Sequence, residues 1–563
     1  MDQNATVAAE PRRAGSETPE FDVAIVGGGP TGLMLAAELA LRGVRFVLFE
    51  RRSSPDRLSR ANDIHGRTLE VLDQHGLAGA ALASGLPMRR SIIMVDRQPV
   101  ADIPLDDLGT RFPPYLGLRE CDLEQLVEQR VRDLGGDVRR GHEVVSVEQD
   151  GSGVLISVRT PAGLEDVHAG WLVGCGGLHG PVRAAMGASL DGFDYRGSWC
   201  IVDARLDGWP WPDDHSLVFV EGLAVMPSPE RWKRCAFWHQ PGREDDDAAG
   251  LQRVLDRIVG VGRVAETREH FVTTYHYGLA ERFRAGRLLI AGDAAHVASP
   301  SGGTGLNSGV QDAHNLGWKL ALAVRGEAAP GLIDSYEAER RATDEANLRR
   351  SDALETRVEA DPAALAEVAR QFAVETADPA AVRASVFGAR VEARYADSPI
   401  VAGEAPRFGP APGQRVPDAG PLVDPAGNRA QLHDLLRTDR HVVLVLGDLA
   451  SLPRAVAALA RRQDLFAVHH VAAGPAPPSP ATAGEIGRLA DPALRVHGRL
   501  GAADDTLFVI RPDGHVGYRA ALADADPKEY LGRVFADVVV EEISPAAAAA
   551  DETAASRQGP PGT

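Results

Sequence analysis

The sequence predicts an α/β protein in which a larger N-terminal domain carries an inserted β-sheet and a smaller α/β domain follows. Three observations predict this. An apolar run, a glycine turn, a helical pattern and a second apolar run form one βαβ unit within 21–50. Aromatic and β-branched runs separated by turns replace the strand–helix alternation over 191–277, and the alternation returns with the apolar run 287–291. A stretch rich in proline and glycine then separates a last α/β pattern from the rest.

These patterns predict domain boundaries along the chain. The polar N-terminus and the Ala- and Gly/Pro-rich C-terminus are expected to be disordered, over 1–20 and 545–563. A helical pattern is expected over 361–393. A nucleotide-binding domain is expected in two segments, 21–190 and 278–401, with an inserted sheet over 191–277 between them. A linker over 402–417 and a C-terminal α/β domain over 418–540 follow.

Composition excludes several classes of protein. The net charge is −19, which disfavours nucleic acid and anionic membrane as partners. No apolar run reaches the ~18 residues of a bilayer span, and the N-terminus has no apolar signal segment. The four cysteines form no C-x-x-C pair and no zinc spacing, so we expect free thiols in a cytoplasmic protein and no metal site.

The first chemical motif is the turn Gly27-Gly28-Gly29-Pro30-Thr31-Gly32, which fits G-x-G-x-x-G between a strand and a helix. Its three motif glycines permit the tight turn, a close approach to a pyrophosphate and close packing of helix on strand. The helix amides then face the phosphates. An acidic residue ends the next strand, as expected of a carboxylate that binds ribose hydroxyls. The predicted ligand contacts of this Rossmann-type unit are Gly27, Gly29, Pro30, Thr31, Gly32, Glu50 and Arg51.

The second motif is a buried strand that delivers Asp293 to a turn after Gly292. A carboxylate there can accept hydrogen bonds from a polyol chain. A loop containing Pro300, Gly302, Gly303 and Gly305 follows and opens a helix at about Leu306. The free amides of that helix could hold an electron-rich carbonyl edge.

Together these two segments closely resemble the FAD-dependent aromatic hydroxylases of the para-hydroxybenzoate hydroxylase type. Within that group the phenol, polyketide and rifampicin monooxygenases are the most similar. The resemblance covers about 21–401. It implies that FAD lies extended across the βαβ unit, with Asp293 on its ribityl chain, Leu306 and Asn307 at the isoalloxazine ring and Arg60 near the flavin. It also implies that the inserted sheet binds substrate.

The sequence departs from the family pattern at two places. Glu120 stands where the family usually has a glutamine, and a carboxylate near FAD phosphates is electrostatically unfavourable. Gly176 replaces the aspartate of the family's Asp-Gly motif, which is linked to FAD and NAD(P)H binding, whereas Gly177 and Arg183 remain. We therefore expect FAD binding to survive and reduction by a nicotinamide to be the affected step.

The C-terminal stretch resembles the thioredoxin-like domain appended to many of these hydroxylases, on the hairpin Arg511-Pro512-Asp513-Gly514. It lacks C-x-x-C, so thiol–disulfide chemistry is not expected. A packing role or a homodimer contact is expected instead. We also expect this stretch to be dispensable for FAD binding.

The resemblance implies a catalytic cycle. NADPH or NADH reduces FAD, O2 adds to give the C4a-hydroperoxide, and one oxygen atom passes to a small aromatic substrate of phenolic or polyketide type. Baeyer–Villiger oxygenation, redox-neutral or oxidase flavin chemistry, and a non-catalytic FAD-bound scaffold remain open. The cofactor carries the chemistry, so no catalytic side chain is assigned. Tyr275, His276 and Tyr277, on the last strand of the inserted sheet, are candidates to line the pocket.

Overall fold

The computed structural model describes residues 19–55, 58–105, 110–239, 247–300, 303–358, 374, 378, 393–447, 454–474, 486–502 and 505–543. Nearly all of the predicted terminal arms (1–20 and 545–563) and of the predicted helical segment 361–393 lies outside these residues, as does Gly302. No helix of the described chain combines the length and apolarity needed to cross a bilayer.

The first part of the chain alternates strands and helices. Its strands are β1 (Phe21–Val26), β2 (Phe46–Glu50), β3 (Asp63–His65), β4 (Leu86–Pro87), β5 (Arg90–Val95), β6 (Gln98–Pro104), β7 (Tyr115–Gly117), β8 (Asp137–Arg140), β9 (Glu143–Gln149), β10 (Val154–Thr160) and β11 (Gly163–Gly174). Its helices are α1 (Pro30–Leu41), α2 (Gly66–Gln74), α3 (Ala78–Ser84), α4 (Glu120–Asp133) and α5 (Pro181–Ala185).

The middle part begins with long strands and ends in long helices. Its strands are β12 (Leu190–Asp207), β13 (His215–Phe219), β14 (Leu223–Pro227), β15 (Lys233–His239), β16 (Arg263–Ala280), β17 (Arg284–Ala285), β18 (Leu288–Ile290) and β19 (His296–Val297). Its helices are α6 (Ala248–Val254), α7 (Gly305–Arg325) and α8 (Asp334–Val358), and a 3-10 turn spans Gly292–Ala294.

The C-terminal part is again mixed. Its strands are β20 (Ala402–Gly403), β21 (Leu422–Val423), β22 (Arg429–Ala430), β23 (His441–Leu446), β24 (Phe466–Ala473), β25 (Ile486–Asp491), β26 (Thr506–Ile510) and β27 (Val516–Ala521). Its helices are α9 (Arg454–Arg461), α10 (Arg495–Leu500), α11 (Lys528–Val534) and α12 (Asp537–Ile543).

The first sheet is the nucleotide-binding sheet, ordered β17-β18-β11-β1-β2-β8, with β10 and β9 attached through β11. Its central strand β1 pairs in parallel with β2 and with β11. Because both faces of this sheet are covered, β2 reads as the continuous apolar run FVLF followed by Glu50. The turn after β1 and the turn after β18 therefore emerge at the same edge of the sheet, since β11 also pairs in parallel with β18.

The second sheet is ordered β19-β16-β12-β15-β14-β13-β5-β6. It is therefore larger than the insertion expected over 191–277, because β5 and β6 join it from the first part of the chain. The joining contact is the parallel pairing of β13 with β5, in which Leu217 lies opposite Ile92. This pairing links segments far apart in sequence, so local alternation could not reveal it. A small third sheet is ordered β3-β7-β4.

The C-terminal sheet is ordered β20-β27-β26-β23-β24-β25-β21-β22. The segment 402–417, predicted as a linker, takes part in it: Ala402 and Gly403 pair with β27, and Arg415 forms a bridge with His515. Its proline and glycine content reflects turns such as that at Gly413, which has φ +82°. The segment is thus packed on the domain that follows it.

Candidate functional site

The glycine turn between β1 and α1 is built for close approach. Gly27 has φ +111°, and a Cβ placed on it would lie 2.4 Å from the carbonyl oxygen of Cys175. A Cβ on Gly32 would lie 2.0 Å from the carbonyl oxygen of Gly27, so the helix packs directly on the turn. Gly29 differs, because the nearest atom to its added Cβ is Glu124 Oε1 at 3.8 Å. Space for a phosphate group therefore exists in front of Gly29, at the N-terminus of α1.

Glu50 supports this turn from the next strand. Its Oε2 accepts a hydrogen bond from the Gly28 amide at 2.7 Å, and its Oε1 accepts one from the Arg52 amide at 2.9 Å. Although burial disfavours the charged form, these backbone bonds and the Arg52 guanidinium lower the pKa of Glu50. Arg51 is exposed beside it.

Thr31 joins α1 to α7. Its Oγ1 lies 2.5 Å from a Cβ built on Gly292 and 2.1 Å from one built on Gly309, so both glycines make room for it. Pro30 occupies the first turn of α1. The structure thus gives Thr31 a packing contact between the two helices that flank the groove.

Asp293, Glu120 and Arg60 come together across the groove. Asp293 keeps solvent-accessible surface, yet the protein around it raises its pKa, chiefly by burial and further by Asp312. A carboxylate at the floor of an open groove is expected to combine accessible surface with a raised pKa, because protein surrounds it while solvent can still reach it. Burial, and then the nearby Asp293, also raise the pKa of Glu120. The positive charge of Arg60 lowers the pKa of both carboxylates and so opposes these increases.

Glu120 has a specific local role. Its Oε2 accepts hydrogen bonds from the backbone amides of Arg60 and Ala61, both at 3.0 Å. The departure from the family glutamine therefore does not leave an unpartnered carboxylate, because Glu120 holds the loop that carries Arg60.

The loop before α7 is held by Asn307. The Asn307 side chain donates to the carbonyl oxygens of Asp63 and Gly303, both at 2.9 Å, and accepts from the His65 amide at 2.8 Å and from Thr68 Oγ1 at 2.7 Å. Its side chain is therefore fully used inside the protein. What Leu306 and Asn307 can offer a ligand is their backbone amides, since the first amides of a helix have no intrahelical acceptor. Pro300 is exposed and Gly305 begins the helix.

Directly behind Asp293 lies a buried cluster of four charged groups that motif reasoning did not anticipate. His296 Nε2 lies 2.7 Å from Asp312 Oδ2 and 3.3 Å from Asp344 Oδ2, while Arg340 pairs with Asp312 at 2.6 Å and with Asp344 at 2.8 Å. Burial disfavours the imidazolium, but Asp344 and Asp312 raise the pKa of His296 to about 9. His296, Asp312 and Asp344 are close enough to suggest metal ligands. The Arg340 guanidinium and the His296 imidazolium together carry two positive charges, which balance the two carboxylates.

The residues of this cluster come from separate sequence segments, so only the pattern of these segments taken together could have predicted it. Arg340 belongs to the Tyr336–Arg340 segment, which on sequence alone reads as a structural helix, and Asp312 lies in the helix after the glycine loop. Asp312 Oδ2 also accepts a hydrogen bond from the Gly292 amide at 2.9 Å. The cluster thereby fixes the turn that presents Asp293.

The inserted sheet offers one face to the nucleotide-binding unit. On β12, Cys200 and Val202 are fully buried in a core shared with α6, so the alternate residues point the other way. On that inner face, Glu269 accepts hydrogen bonds from the Ser59 amide and from Arg119 Nη1, both at 3.3 Å. The inner face therefore lies against the loop that carries Arg60. It includes Trp199, Asp203, Arg234, Trp238, Glu269, Phe271 and Tyr275.

Arg234 is the unusual residue of this face. Its side chain is 6% exposed, and its Nε and Nη2 donate to the two carboxylate oxygens of Asp203 at 2.8 and 3.1 Å. Its Nη1 is buried and has no hydrogen-bond partner within the described chain. A buried guanidinium nitrogen without an acceptor is costly, which makes it a candidate ligand contact.

Of the three pocket candidates on β16, Tyr275 lies on the inner face together with Phe271. Burial and the nearby Glu355 raise its pKa. His276 instead contacts Asp194 Oδ1 through Nδ1 at 2.8 Å, and Tyr277 stacks on the exposed Phe193 with ring centroids 5.0 Å apart.

The Gly176 loop follows β11 on the outer side of the turn. Gly176 and His179 are both exposed. A Cβ on Gly176 would meet the Gly180 Cα at 3.4 Å and the Val26 carbonyl oxygen at 3.6 Å, which are ordinary contacts. Steric constraint thus does not explain the glycine at this position.

A separate cavity of about 210 Å³ lies between the two domains, lined in part by Arg42, Trp318, His441 and Pro512. Arg42 follows the C-terminal end of α1, whereas the glycine turn precedes its N-terminal end. This cavity is therefore remote from the groove described above, which carries the convergent polar groups.

Two family matches cover most of the chain. Residues 20–351 match the family described as "FAD binding domain", and residues 409–538 match that described as "Aromatic-ring hydroxylase, C-terminal". The first match includes the glycine turn, Asp293 and the whole inserted sheet.

Individual proteins agree with these matches. The chain is 34% identical over 524 residues to the 12-dehydrotetracycline 5-monooxygenase/anhydrotetracycline 6-monooxygenase of Streptomyces rimosus, covering 89% of this chain and 95% of the relative. It is also 34% identical over 331 residues to the dialkyldecalin synthase of Streptomyces rugosporus, covering 57% of this chain and 69% of the relative. The solved anhydrotetracycline hydroxylase from Streptomyces rimosus aligns with a TM-score of 0.73 at 31% identity, covering 92% of this chain and 99% of that chain.

Proposed function

Because this chain belongs to the family of FAD-dependent aromatic-ring monooxygenases, we propose that it hydroxylates a phenolic or polyketide-type aromatic compound with NADPH or NADH and O2. The observation that carries the proposal is one juxtaposition. An open groove, with Gly29 at one end and Asp293 on its floor, lies against a sheet face that contains Trp199 and Arg234, whose Nη1 has no hydrogen-bond partner among the described residues.

The residues of the groove fit FAD. The Gly27–Gly32 turn would hold the pyrophosphate, the Asp293 carboxylate would accept hydrogen bonds from the ribityl hydroxyls, and the Leu306 and Asn307 amides would face the ring. When bound, FAD supplies the redox chemistry that passes electrons from the nicotinamide to O2 and an oxygen atom to the substrate. The further proposed contacts are Pro30, Thr31, Glu50, Arg51, Arg60, Glu120, Pro300 and Gly305.

The side chains of the inserted sheet would orient the substrate and exclude water. Trp199 and Trp238 form an edge-to-face pair with ring centroids 5.7 Å apart and offer an apolar wall to a planar ring system. Arg234 Nη1, which has no hydrogen-bond partner within the described ranges of the chain, would donate to an oxygen of the substrate. Water exclusion matters because it protects reactive intermediates from side reactions.

The proposal is tested with purified protein. We expect a yellow protein with non-covalent FAD that consumes NAD(P)H faster with an accepted aromatic substrate. Phenols, naphthols and anhydrotetracycline form a suitable panel, and labelled O2 should place one oxygen atom in the product. A new phenol indicates hydroxylation, whereas an ester or lactone indicates Baeyer–Villiger oxygenation. A colourless protein that FAD cannot reconstitute would contradict the whole assignment.

Arg234→Gln tests the substrate contact, with Arg268→Gln as a matched control. Asp203 also pairs with Arg268 at 3.1 Å, so either variant leaves Asp203 with one arginine. Hydrogen bonds to charged groups contribute ~1.5–3 kcal/mol, so Arg234→Gln should weaken substrate binding roughly tenfold or more. Arg268→Gln should leave it nearly unchanged. Equal losses in the two variants would assign the effect to Asp203 instead.

A second candidate is redox-neutral flavin-dependent chemistry on a biosynthetic intermediate. Two observations favour it: Gly176 lacks the carboxylate of the family motif, and one relative is named a dialkyldecalin synthase. Product formed without O2 and without flavin reduction would support this candidate. Oxygen-dependent product in the same assay would exclude it.

A further inference from the structure

Glu355, on α8, links the inserted sheet to the loop before α7. Its side chain is 1% exposed. Its Oε1 accepts a hydrogen bond from Trp199 Nε1 at 2.6 Å, and its Oε2 accepts one from Ser299 Oγ at 2.5 Å. One carboxylate thus joins three separate elements.

The two donors belong to two different walls of the site, the inner face of the sheet and the loop before α7. Trp199 belongs to the inner face of the sheet and packs edge-to-face on Trp238. Ser299 is 1% exposed and immediately precedes Pro300, where the loop toward the cofactor groove begins. Any shift of the Glu355 carboxylate would therefore move one wall relative to the other.

The far end of the same loop is held separately. The Gly303 carbonyl oxygen accepts a hydrogen bond from Asn307 Nδ2 at 2.9 Å, and Thr304 Oγ1 lies 3.3 Å from Ser351 Oγ. Both of these contacts stay within the nucleotide-binding unit and its helices. The Ser299 hydrogen bond differs from these contacts, because it connects the loop to the sheet through the Glu355 carboxylate.

Burying a carboxylate is costly unless it is hydrogen-bonded, and bonds to an ionised acceptor are stronger than neutral ones. The Glu355 carboxylate accepts hydrogen bonds from two neutral donors, Trp199 on one wall and Ser299 on the other. A hydrophobic pair would join the walls at lower electrostatic cost, but it would not fix the direction of the contact. The two hydrogen bonds of Glu355 therefore fix the position of the loop relative to the sheet.

We propose that Glu355 is a positioning residue that sets the loop starting at Ser299 against the substrate-facing sheet. It acts through its hydrogen bonds with Ser299 and Trp199. This inference rests on the proposed function for its catalytic consequence, because alignment of ring and substrate matters only if oxygen is transferred between them. Misplacement by about 1 Å can cost roughly a hundredfold in rate.

The test compares Glu355→Gln with the parent and with Asp352→Asn. The amide of Gln offers one acceptor oxygen, so one of the two donors loses its partner. Asp352 lies on the same helix, but it accepts a hydrogen bond from Tyr195 Oη at 3.0 Å. We expect Glu355→Gln to retain FAD within about twofold, because the pyrophosphate turn and Asp293 are untouched. We expect the visible circular dichroism of the bound flavin to change, and the oxygenated product per NAD(P)H consumed to fall roughly tenfold or more.

Ser299→Ala provides a second approach if Glu355→Gln fails to fold. It removes one donor and should change the flavin circular dichroism in the same direction. In the double variant the two changes should not add, since both remove one interaction. Thermal unfolding of every variant separates positioning from general destabilisation.

Two results would overturn the proposal. One is a Glu355→Gln protein whose flavin circular dichroism and product fraction equal those of Asp352→Asn. The other is a loss of product that follows a loss of FAD and of thermal stability. If the parent makes no oxygenated product, the proposed function fails, but the flavin circular dichroism still decides whether Glu355 positions the loop.

Discussion

At the scale of single residues, the carboxylates of the groove differ in what they are already bonded to. Glu50 accepts hydrogen bonds from two backbone amides, those of Gly28 and Arg52, and Glu120 accepts from the amides of Arg60 and Ala61. Asp293 instead keeps exposed surface in the groove. Two of the carboxylates therefore shape the groove, and the third is available to a ligand.

Asp293→Ala should weaken FAD binding more than Glu50→Ala does. Loss of hydrogen bonds to a charged acceptor costs ~1.5–3 kcal/mol, which corresponds to roughly tenfold to a hundredfold in the dissociation constant. The turn in Glu50→Ala keeps the bond from the Gly27 amide to the Phe49 carbonyl oxygen at 2.8 Å. Titration of apoprotein with FAD measures both constants. The reverse order would remove Asp293 from the ribityl contact.

Gly176→Asp should speed flavin reduction by NAD(P)H. The site accepts a side chain without a short contact, and Gly176 lacks the left-handed backbone that would strain one. A hydrogen bond accepted by the added carboxylate is worth ~1.5–3 kcal/mol, so the gain should be roughly tenfold to a hundredfold in cofactor use. Anaerobic stopped-flow absorbance gives the rate.

His179→Ala is the companion variant, because His179 lies exposed on the same loop and is the candidate to compensate for the missing carboxylate. It should slow reduction by NAD(P)H and leave reduction by dithionite unchanged. A parent flavin that no nicotinamide reduces, with any aromatic substrate tried, would favour the redox-neutral candidate.

At the scale of elements, the buried cluster of His296, Asp312, Asp344 and Arg340 joins β19, α7 and α8. Every pair in it spans two elements except Arg340 with Asp344, which lie one turn apart on α8. Burial and the Asp312 carboxylate also raise the pKa of Asp344. The geometry of the Asp293 turn therefore depends on charges carried by two helices.

The free energy of unfolding should fall as pH rises through about 9. The folded pKa of His296 is about 9, above the ordinary value of about 6.5. A base with a raised folded pKa stabilises the fold fully below its unfolded pKa and loses that contribution as pH rises through the folded pKa. The contribution is roughly 3 kcal/mol. Denaturant unfolding from pH 6 to 9.5 measures it.

His296→Gln should flatten this dependence and lower stability at pH 6. His276→Gln is the control, because that ring is partly exposed and contacts the exposed Asp194. It should keep the pH dependence of the parent. A His296→Gln protein with an unchanged pH slope would show that another group causes it.

At the scale of the whole molecule, buried ion pairs join the two domains. Arg511, on the C-terminal hairpin, donates to both oxygens of Glu339 on α8 at 2.6 and 2.9 Å. The side chains of Arg511, Glu339 and Lys319 are all fully buried. Lys319 Nζ lies 2.8 Å from the same carboxylate. Removal of the C-terminal stretch would leave Glu339 and Lys319 without Arg511, so we expect a truncated protein to lose stability whether or not it binds FAD.

Arg511→Met should destabilise the protein by ~3–5 kcal/mol, the usual cost of removing one partner of a buried pair. Arg437→Met is the matched control: Arg437 also bridges the domains, to Asp73 at 2.8 Å, but it is 46% exposed. An exposed pair contributes ~0–1 kcal/mol. Denaturant unfolding compares the two. Equal, small effects would mean that the domains are held mainly by their apolar contacts.

Sequence alone was sufficient for features that depend on backbone chemistry within one segment. The turn of Gly27, Gly29 and Gly32 and the loop that presents Asp293 follow from residues a few positions apart, because only glycine tolerates the close approaches measured there. The family and its flavin-binding fold followed from these two segments.

Only the tertiary structure revealed the roles of residues whose contacts lie far away in the sequence. Trp199 and Glu355 are 156 positions apart, and β5 and β6 join a sheet whose other strands begin at residue 190 or later. The Asn307 side chain holds the loop before α7, and the Arg234 Nη1 has no acceptor in the part of the chain that the structure describes. Hydrogen-bond satisfaction is a property of the whole packed interior, so no local pattern of residues can reveal it.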